Sequence, residues 1–163
     1  GVLMSVNVTW EWDPVRGPKL AAAKMAALEI SIRAGGFRQP LQRSVREVLI
    51  PELEHQFDVG GDPRWAPLHE VTIEKKQRLG RDNGILQETM KLRKAVTALE
   101  RWRVRDDEAM FTGLPGYAYY GMYHLSGTVN MVQRDWARWS NNTVSRVATV
   151  FDDWLDGKIK AVF

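Results

Sequence analysis

The sequence predicts an α+β domain: a small antiparallel sheet packed by several helices, with a long amphipathic helix at the C-terminus. Three observations carry that prediction. Segments with period-two apolar patterning alternate with segments of helical period. The strand-like segments are short and bounded by Gly, Pro or Asp. One helical stripe, from Val144 to Leu155, repeats cleanly at i, i+3, i+4, i+7, i+10 and i+11. Strands are expected near residues 5–12, 98–105, 108–112 and 130–136, with helices layered on the sheet they form.

Val6-Asn7-Val8-Thr9-Trp10-Glu11-Trp12 alternates apolar with polar and is rich in β-branched and aromatic residues, as a strand requires. Asp13-Pro14 and Gly17-Pro18 end it. Residues 19–33 are Ala-rich helix formers closed by Gly35-Gly36. A second helix is expected from about Gln39 to Phe57, with Leu41, Val45, Val48, Leu49, Leu53 and Phe57 on one stripe. Pro51 lies inside it and lacks the N–H that would bond to residue 47, so a kink is expected there. Gly60-Gly61-Asp62-Pro63 is a loop, with Trp65 as a plug onto the core. Pro67 is expected to open a short helix through Lys76, and Arg81-Asp82-Asn83-Gly84 to turn.

Ile85 to Val96 is expected as helix, with Leu86, Met90 (or Thr89) and Leu92 inward. In Leu99–Arg105 the alternation puts Trp102 and Val104 on one face and Arg101, Arg103 and Arg105 on the other. Asp106-Asp107 turns, and Glu108–Thr112 returns as the second arm of a hairpin. Tyr117–His124 reads as a short aromatic helix closed by Gly127. The last helix is expected to be capped by Asn141 or Asn142 and to bury Val144, Val147, Ala148, Phe151, Trp154 and Leu155.

Length and composition bound the possibilities. A chain of 163 residues, 44% hydrophobic and 26% charged, is one domain with an ordinary globular composition. The domain is expected to span residues 1–163, with 1–17 as an N-terminal strand or arm. Gly1–Leu3 are expected to be a remnant or an alternative start ahead of Met4, and no signal-peptide pattern opens the chain. The longest apolar runs fall far short of the ~20 residues of a bilayer span, so no membrane partner is expected. The absence of cysteine removes disulfides, thiolate catalysis and Cys-based zinc sites. Between Glu74 and Arg105, ten basic and four acidic side chains give +6; the remaining 13 basic and 16 acidic give −3. Such polarity suits nucleic acid, or head-to-tail docking of copies of one chain.

No reactive set stands out. His55, His69 and His124 form no ligand-spaced pair, so no metal is expected. His124, beside Tyr123, is the one candidate general base for a hydrolytic or carbohydrate-active enzyme, against the plainer reading of a packing histidine. Asp106-Asp107 and Asp152-Asp153 are paired acids whose neighbours in sequence point apart, as solvated surface does. Gly60-Gly61 lacks the Lys-Ser/Thr of a phosphate loop, and neither a catalytic role nor a cofactor is expected. Tyr117, Tyr119, Tyr120 and Tyr123 suit core and subunit contacts, or stacking on bases and sugars. The Arg101, Arg103 and Arg105 row suits a solvated face, an acidic neighbouring subunit or nucleic acid.

One ordered phrase remains. It runs Gln56-Phe57, then Gly61-Asp62-Pro63-Arg64-Trp65-Ala66-Pro67-Leu68, Thr72, Lys75 and Ile85-Leu86-Gln87-Glu88-Thr89-Met90-Lys91-Leu92. Tyr123-His124-Leu125-Ser126-Gly127-Thr128 and Arg134-Asp135-Trp136-Ala137 answer it downstream. In order and spacing, over about residues 41–157, this resembles the phage virion morphogenesis family, the tail-completion or head–tail joining proteins of the Mu and P2 type. That pattern has Gly where Met90 stands, Ser where Ala95 stands, and prolines where Val132 and Asp135 stand.

The resemblance implies a structural virion protein made in the host bacterial cytoplasm and placed in the neck or tail. There a ring of identical copies would join tail to head, touching other neck, connector or tail proteins and lying close to packaged DNA. Ring closure needs a heterologous contact. The expected one sets Arg101, Arg103 and Arg105 against Asp152, Asp153 or Asp156 of the next copy. The alternative is a nucleic-acid-binding protein using residues 74–105.

Overall fold

The computed structural model describes residues 17–81 and 83–163, and the proposed strand at 5–12 lies outside them. Helix α1 (Gly17–Gly35) turns at Gly36 into a long helical rod made of α2 (Arg38–Ser44), a π-helical turn (Val45–Leu49) and α3 (Ile50–Val59). The expected stripe is the buried one: Val45, Val48, Leu53 and Phe57 are each 3% exposed or less. Pro51 does not break the rod. The wider turn just ahead of it accommodates the ring that would clash with the Glu47 carbonyl. That carbonyl, which Pro51 cannot bond, instead accepts a hydrogen bond from Arg146 Nη2 at 3.2 Å.

The chain then passes through an irregular loop to α4 (Glu70–Arg78) and α5 (Lys91–Thr97). Two expectations change here. Helix α4 starts three residues after Pro67, with His69 as its cap, because the Ala66 and Pro67 carbonyls are held by Arg134 outside the helix. Residues 85–90 are not helical: Leu86 and Met90 have φ of 62° and 58°, left-handed values that end any right-handed helix.

Among the described residues the sheet is one hairpin, β1 (Trp102–Val104) antiparallel to β2 (Ala109–Phe111), with Trp102 opposite Phe111 and Val104 opposite Ala109. Strand 98–105 is therefore shorter than expected, since Leu99–Arg101 forms a 3₁₀ turn. No strand forms at 130–136. The Arg134 N–H bonds to the His124 carbonyl and the Trp136 N–H to Arg134, while Thr128 and Met131 pair only with each other in an isolated antiparallel bridge, so these groups build no ladder. Val132 is exposed as well, which removes the apolar face a strand would bury.

A 3₁₀ turn (Gly116–Ala118) leads into α6 (Tyr120–Ser126), closed by Gly127. Helix α7 (Asn141–Val162) completes the chain and packs on α1, α2 and the π turn. Its cap is Ser140, not Asn141 or Asn142: the Ser140 hydroxyl accepts from the Thr143 N–H at 3.1 Å. The inward line is Thr143 and Val150, both buried, with Val147 and Trp154 half-buried beside them; it is rotated from the expected stripe, so that Val144, Ala148 and Leu155 are exposed. Phe37, from the α1–α2 turn, lies 5.9 Å from Phe151 and 5.7 Å from Trp154, ring to ring.

Candidate functional site

The main core joins α3, α5 and α6 through Leu53, Phe57, Leu92, Val96, Trp65 and Trp136. Two stretches about seventy residues apart meet on it. Gly60 ends α3 in the left-handed conformation, and Gly61, at φ 93°, runs directly under the Trp65 indole where any Cβ would collide with the ring. Trp65 is 7% exposed and packs edge-on against Phe57 at 5.6 Å. Its Nε1 donates to the Asp135 carbonyl at 3.2 Å. In return, Arg134 Nε and Nη2 donate to the Ala66 and Pro67 carbonyls at 3.1 and 3.2 Å. Trp136 Nε1 donates to the Gly121 carbonyl at 2.9 Å.

Side-chain amides complete this frame. Gln56 Oε1 accepts from the Asp62 N–H at 2.8 Å, and Gln87 Nε2 donates to the Phe57 carbonyl at 2.7 Å. Gln87 Oε1 accepts from Arg93, which also pairs with Asp58 at 2.6 Å. Gln87 carried no signal in the sequence beyond its place in the phrase, and Arg93, which lies outside the phrase, carried none, because the partners of a polar side chain are set by tertiary structure.

A cleft of about 360 Å³ opens beside this frame. Leu68, Leu86 and Tyr120 give it apolar walls, while Thr72, Thr89 and His124 add polar atoms. Arg134 and Lys76 also line it. Both cations are buried, at 7% and 5% exposure, and among the described residues neither has a carboxylate partner. Lys76 Nζ donates to the Asn83 and Gly84 carbonyls. The sequence phrase pointed to Lys75; the helix instead exposes Lys75 and turns Lys76 in.

His124 packs edge-on against Tyr120 at 6.2 Å, and its Nδ1 is buried without a hydrogen-bond partner. Burial, and then the positive charge of Arg134, hold its pKa below that of an ordinary imidazole. Burial also lowers the pKa of Arg134. Among the described residues no carboxylate or hydroxyl bonds to His124 Nδ1 in the way a base–nucleophile pair requires.

The remaining predicted residues spread out. Pro63 follows a cis peptide bond from Asp62 in the loop, Pro67 and Thr72 are exposed, and Gly127 ends α6 at φ 72°. Tyr120 turns inward, whereas Tyr117, Tyr119 and Tyr123 are about half exposed, Tyr119 and Tyr123 edge to face at 5.9 Å. The arginine row is broken. Arg101 sits half-buried in the 3₁₀ turn, only Arg103 projects from the middle of β1, and Arg105 pairs with Glu108 at 3.1 Å. On α7, Asp153 lies 3.7 Å from Arg43, while Asp156 is exposed and Asp152 half-buried.

Among the described residues, no three His, Asp or Glu side chains gather as a metal site would need, and no helix is long and apolar enough to cross a membrane. Comparison with models of known families, with curated proteins and with solved structures finds no match to this chain.

Proposed function

We propose that this chain is a structural protein of a tailed phage, one subunit of the neck or tail-completion ring that joins tail to head. The observation that carries the reading is the mutual closure of the two halves of the ordered phrase, Trp65 on Asp135 and Arg134 on Ala66 and Pro67. Residues whose order matches the morphogenesis pattern are the ones that hold the domain's irregular segments together. Met90 adds support. It stands where that pattern has glycine, and its φ of 58° is a conformation glycine adopts freely.

Surface features suit assembly. Tyr117, Tyr119, Met122 and Tyr123 are 42–55% exposed and adjoin one another along the 3₁₀ turn and α6. Exposed aromatics of this kind supply much of the binding energy at protein interfaces. Arg103 and Asp156, neither ion-paired among the described residues, remain as a basic and an acidic point for a heterologous contact between copies, a narrower one than the three-arginine row the sequence suggested.

The test is mass measurement of the purified chain together with imaging and composition analysis of phage particles. Rings, or the chain located in the particle neck, are expected. A chain that is monomeric at every concentration and also missing from particles overturns the proposal. Tyr119→Ala with Tyr123→Ala should weaken assembly without changing the fold, since both rings face outward.

The nucleic-acid reading is weakened by where its cations go. Lys76 is buried, and Arg81, Arg93 and Arg105 pair with Glu88, Asp58 and Glu108. Binding that falls steeply with salt, and drops when Arg101, Arg103 and Arg105 become Gln, would restore it.

A further inference from the structure

Two buried cations share the cleft beside α4, and among the described residues each is hydrogen-bonded to backbone carbonyls and ion-paired with no carboxylate. Glu88, which also lines the cleft, is paired with Arg81 instead. Arg134 uses two of its five N–H donors on Ala66 and Pro67, and Lys76 uses two of its three on Asn83 and Gly84. A cation removed from water without a counter-ion is costly, and carbonyl dipoles offset only part of that cost. The remaining donors belong to residues that line one cavity. The Thr72, Thr89 and Tyr120 hydroxyls line it too, and none is bonded to another described group.

We infer that this cleft binds a carboxylate attached to a small apolar body, with Arg134 and Lys76 supplying the counter-charge and Leu68, Leu86 and the Tyr120 ring enclosing the body. The volume lies within the range of small-ligand sites, roughly 300–1,000 Å³. A monoanion fits better than a phosphate dianion. Glu88 stands at the rim, paired with Arg81 at 3.3 Å, and repels a second negative charge. The planar fork of Arg134 matches a carboxylate in geometry. The same chemistry is offered by a free organic acid and by a Glu side chain of another polypeptide. The inference does not depend on the ring reading and would survive its failure.

The experiment follows the His124 imidazole by NMR while the full chain is titrated with 4-methylpentanoate, 4-methylpentanamide or inorganic phosphate. His124 is identified among the three histidines by the His124→Gln variant. The carboxylate should shift the His124 signal saturably and raise its titration midpoint, because the bound charge screens Arg134 and favours the imidazolium. At ten times Kd it should lower the unfolding constant about 11-fold.

The amide should do neither. Tyr120→Phe and Thr89→Val, which disturb no backbone bond, should each weaken binding about tenfold. Arg134 and Lys76 hold the fold and are left intact. Equal effects from the amide, equal effects from phosphate, or no saturation below about 50 mM would each overturn the inference. A blocked tetrapeptide with one internal Glu separates the sources: tighter binding than 4-methylpentanoate assigns a protein side chain, and weaker binding assigns a free acid.

Discussion

Replacing Trp65 by Ala tests the central claim of the fold most directly. The indole is 7% exposed, packs edge-on to Phe57 at 5.6 Å, and reaches the Asp135 carbonyl at 3.2 Å. Removing a buried Trp costs ~3–5 kcal/mol from lost transfer and the cavity left behind. Within that sum, the edge-to-face pair is worth ~0.5–1.5 kcal/mol and the hydrogen bond ~0.5–1.5 kcal/mol. The cavity should not collapse easily, because Gly61 lies under the ring and Arg134 pins the far side of the loop. With a urea m-value of about 2 kcal/mol/M, the loss lowers the unfolding midpoint by about 1.5–2.5 M. Circular dichroism during urea titration reads this out. Trp139→Ala is the control: that ring is 39% exposed, and its removal should cost less than ~1 kcal/mol. A Trp65→Ala midpoint within about 0.5 M of the parent at unchanged m would refute the argument that Trp65 locks the two halves together.

Three further outcomes follow from single sites. Met90→Gly should stay within ~1 kcal/mol of the parent in urea unfolding, because relief of the ~1–2 kcal/mol left-handed cost offsets glycine's added chain entropy. Met90→Val should be clearly destabilised by the same measurement. His124, held low by burial and then by Arg134, binds fewer protons folded than unfolded, so stability is full above ~6.5 and falls as pH drops through its lowered pKa. His124→Gln should remove that component from a plot of unfolding free energy against pH. Ser140→Ala should cost ~0.5–2 kcal/mol in thermal or urea unfolding, while Asn141→Ala and Asn142→Ala cost markedly less.

What could be read from the sequence was what local pattern alone decides. The 41–57 stripe is legible because Val45, Val48, Leu53 and Phe57 repeat with helical period on a face that is buried throughout. The hairpin is legible because Trp102 and Val104 alternate with arginine and Asp106-Asp107 turns. The plug at Trp65 is legible because a large ring in a Gly- and Pro-rich loop has nowhere else to go. The failures share a cause. Leu86, Met90 and Leu92 mimic a helical face, yet the backbone at Leu86 and Met90 is left-handed, held where Gln87 crosses to Phe57 and Lys76 crosses to Gly84. The phase of α7 is set by Thr143 on Ser140 and Arg146 on Glu47, polar bonds that no hydrophobic count detects. Lys76 rather than Lys75 enters the cleft for the same reason: carbonyls seven and eight residues further along the chain are invisible to local pattern, and only the folded loop at 83–84 brings them within reach.

Why an irregular loop should need such a fixed order of residues has an answer in hydrogen-bond accounting. Between α3 and α4 the chain runs over the core, burying Gly61 and Trp65, with neither helix nor ladder to satisfy its backbone, and buried backbone groups left unpaired are expensive. Pro63 and Pro67 reduce the demand by removing two N–H groups. The Asp62 N–H goes to Gln56, the Trp65 N–H to the Gly60 carbonyl, and the Ala66 and Pro67 carbonyls go to Arg134. Three of these four bonds come from two particular side chains, so the loop imposes identity on Gln56 and Arg134 as strongly as an active site would. An ordered phrase of glycines, prolines, aromatics and arginine can therefore mark a load borne by architecture, and here the arginine that bears it, Arg134, also lines a cleft and has three N–H donors beyond the two that the loop carbonyls take.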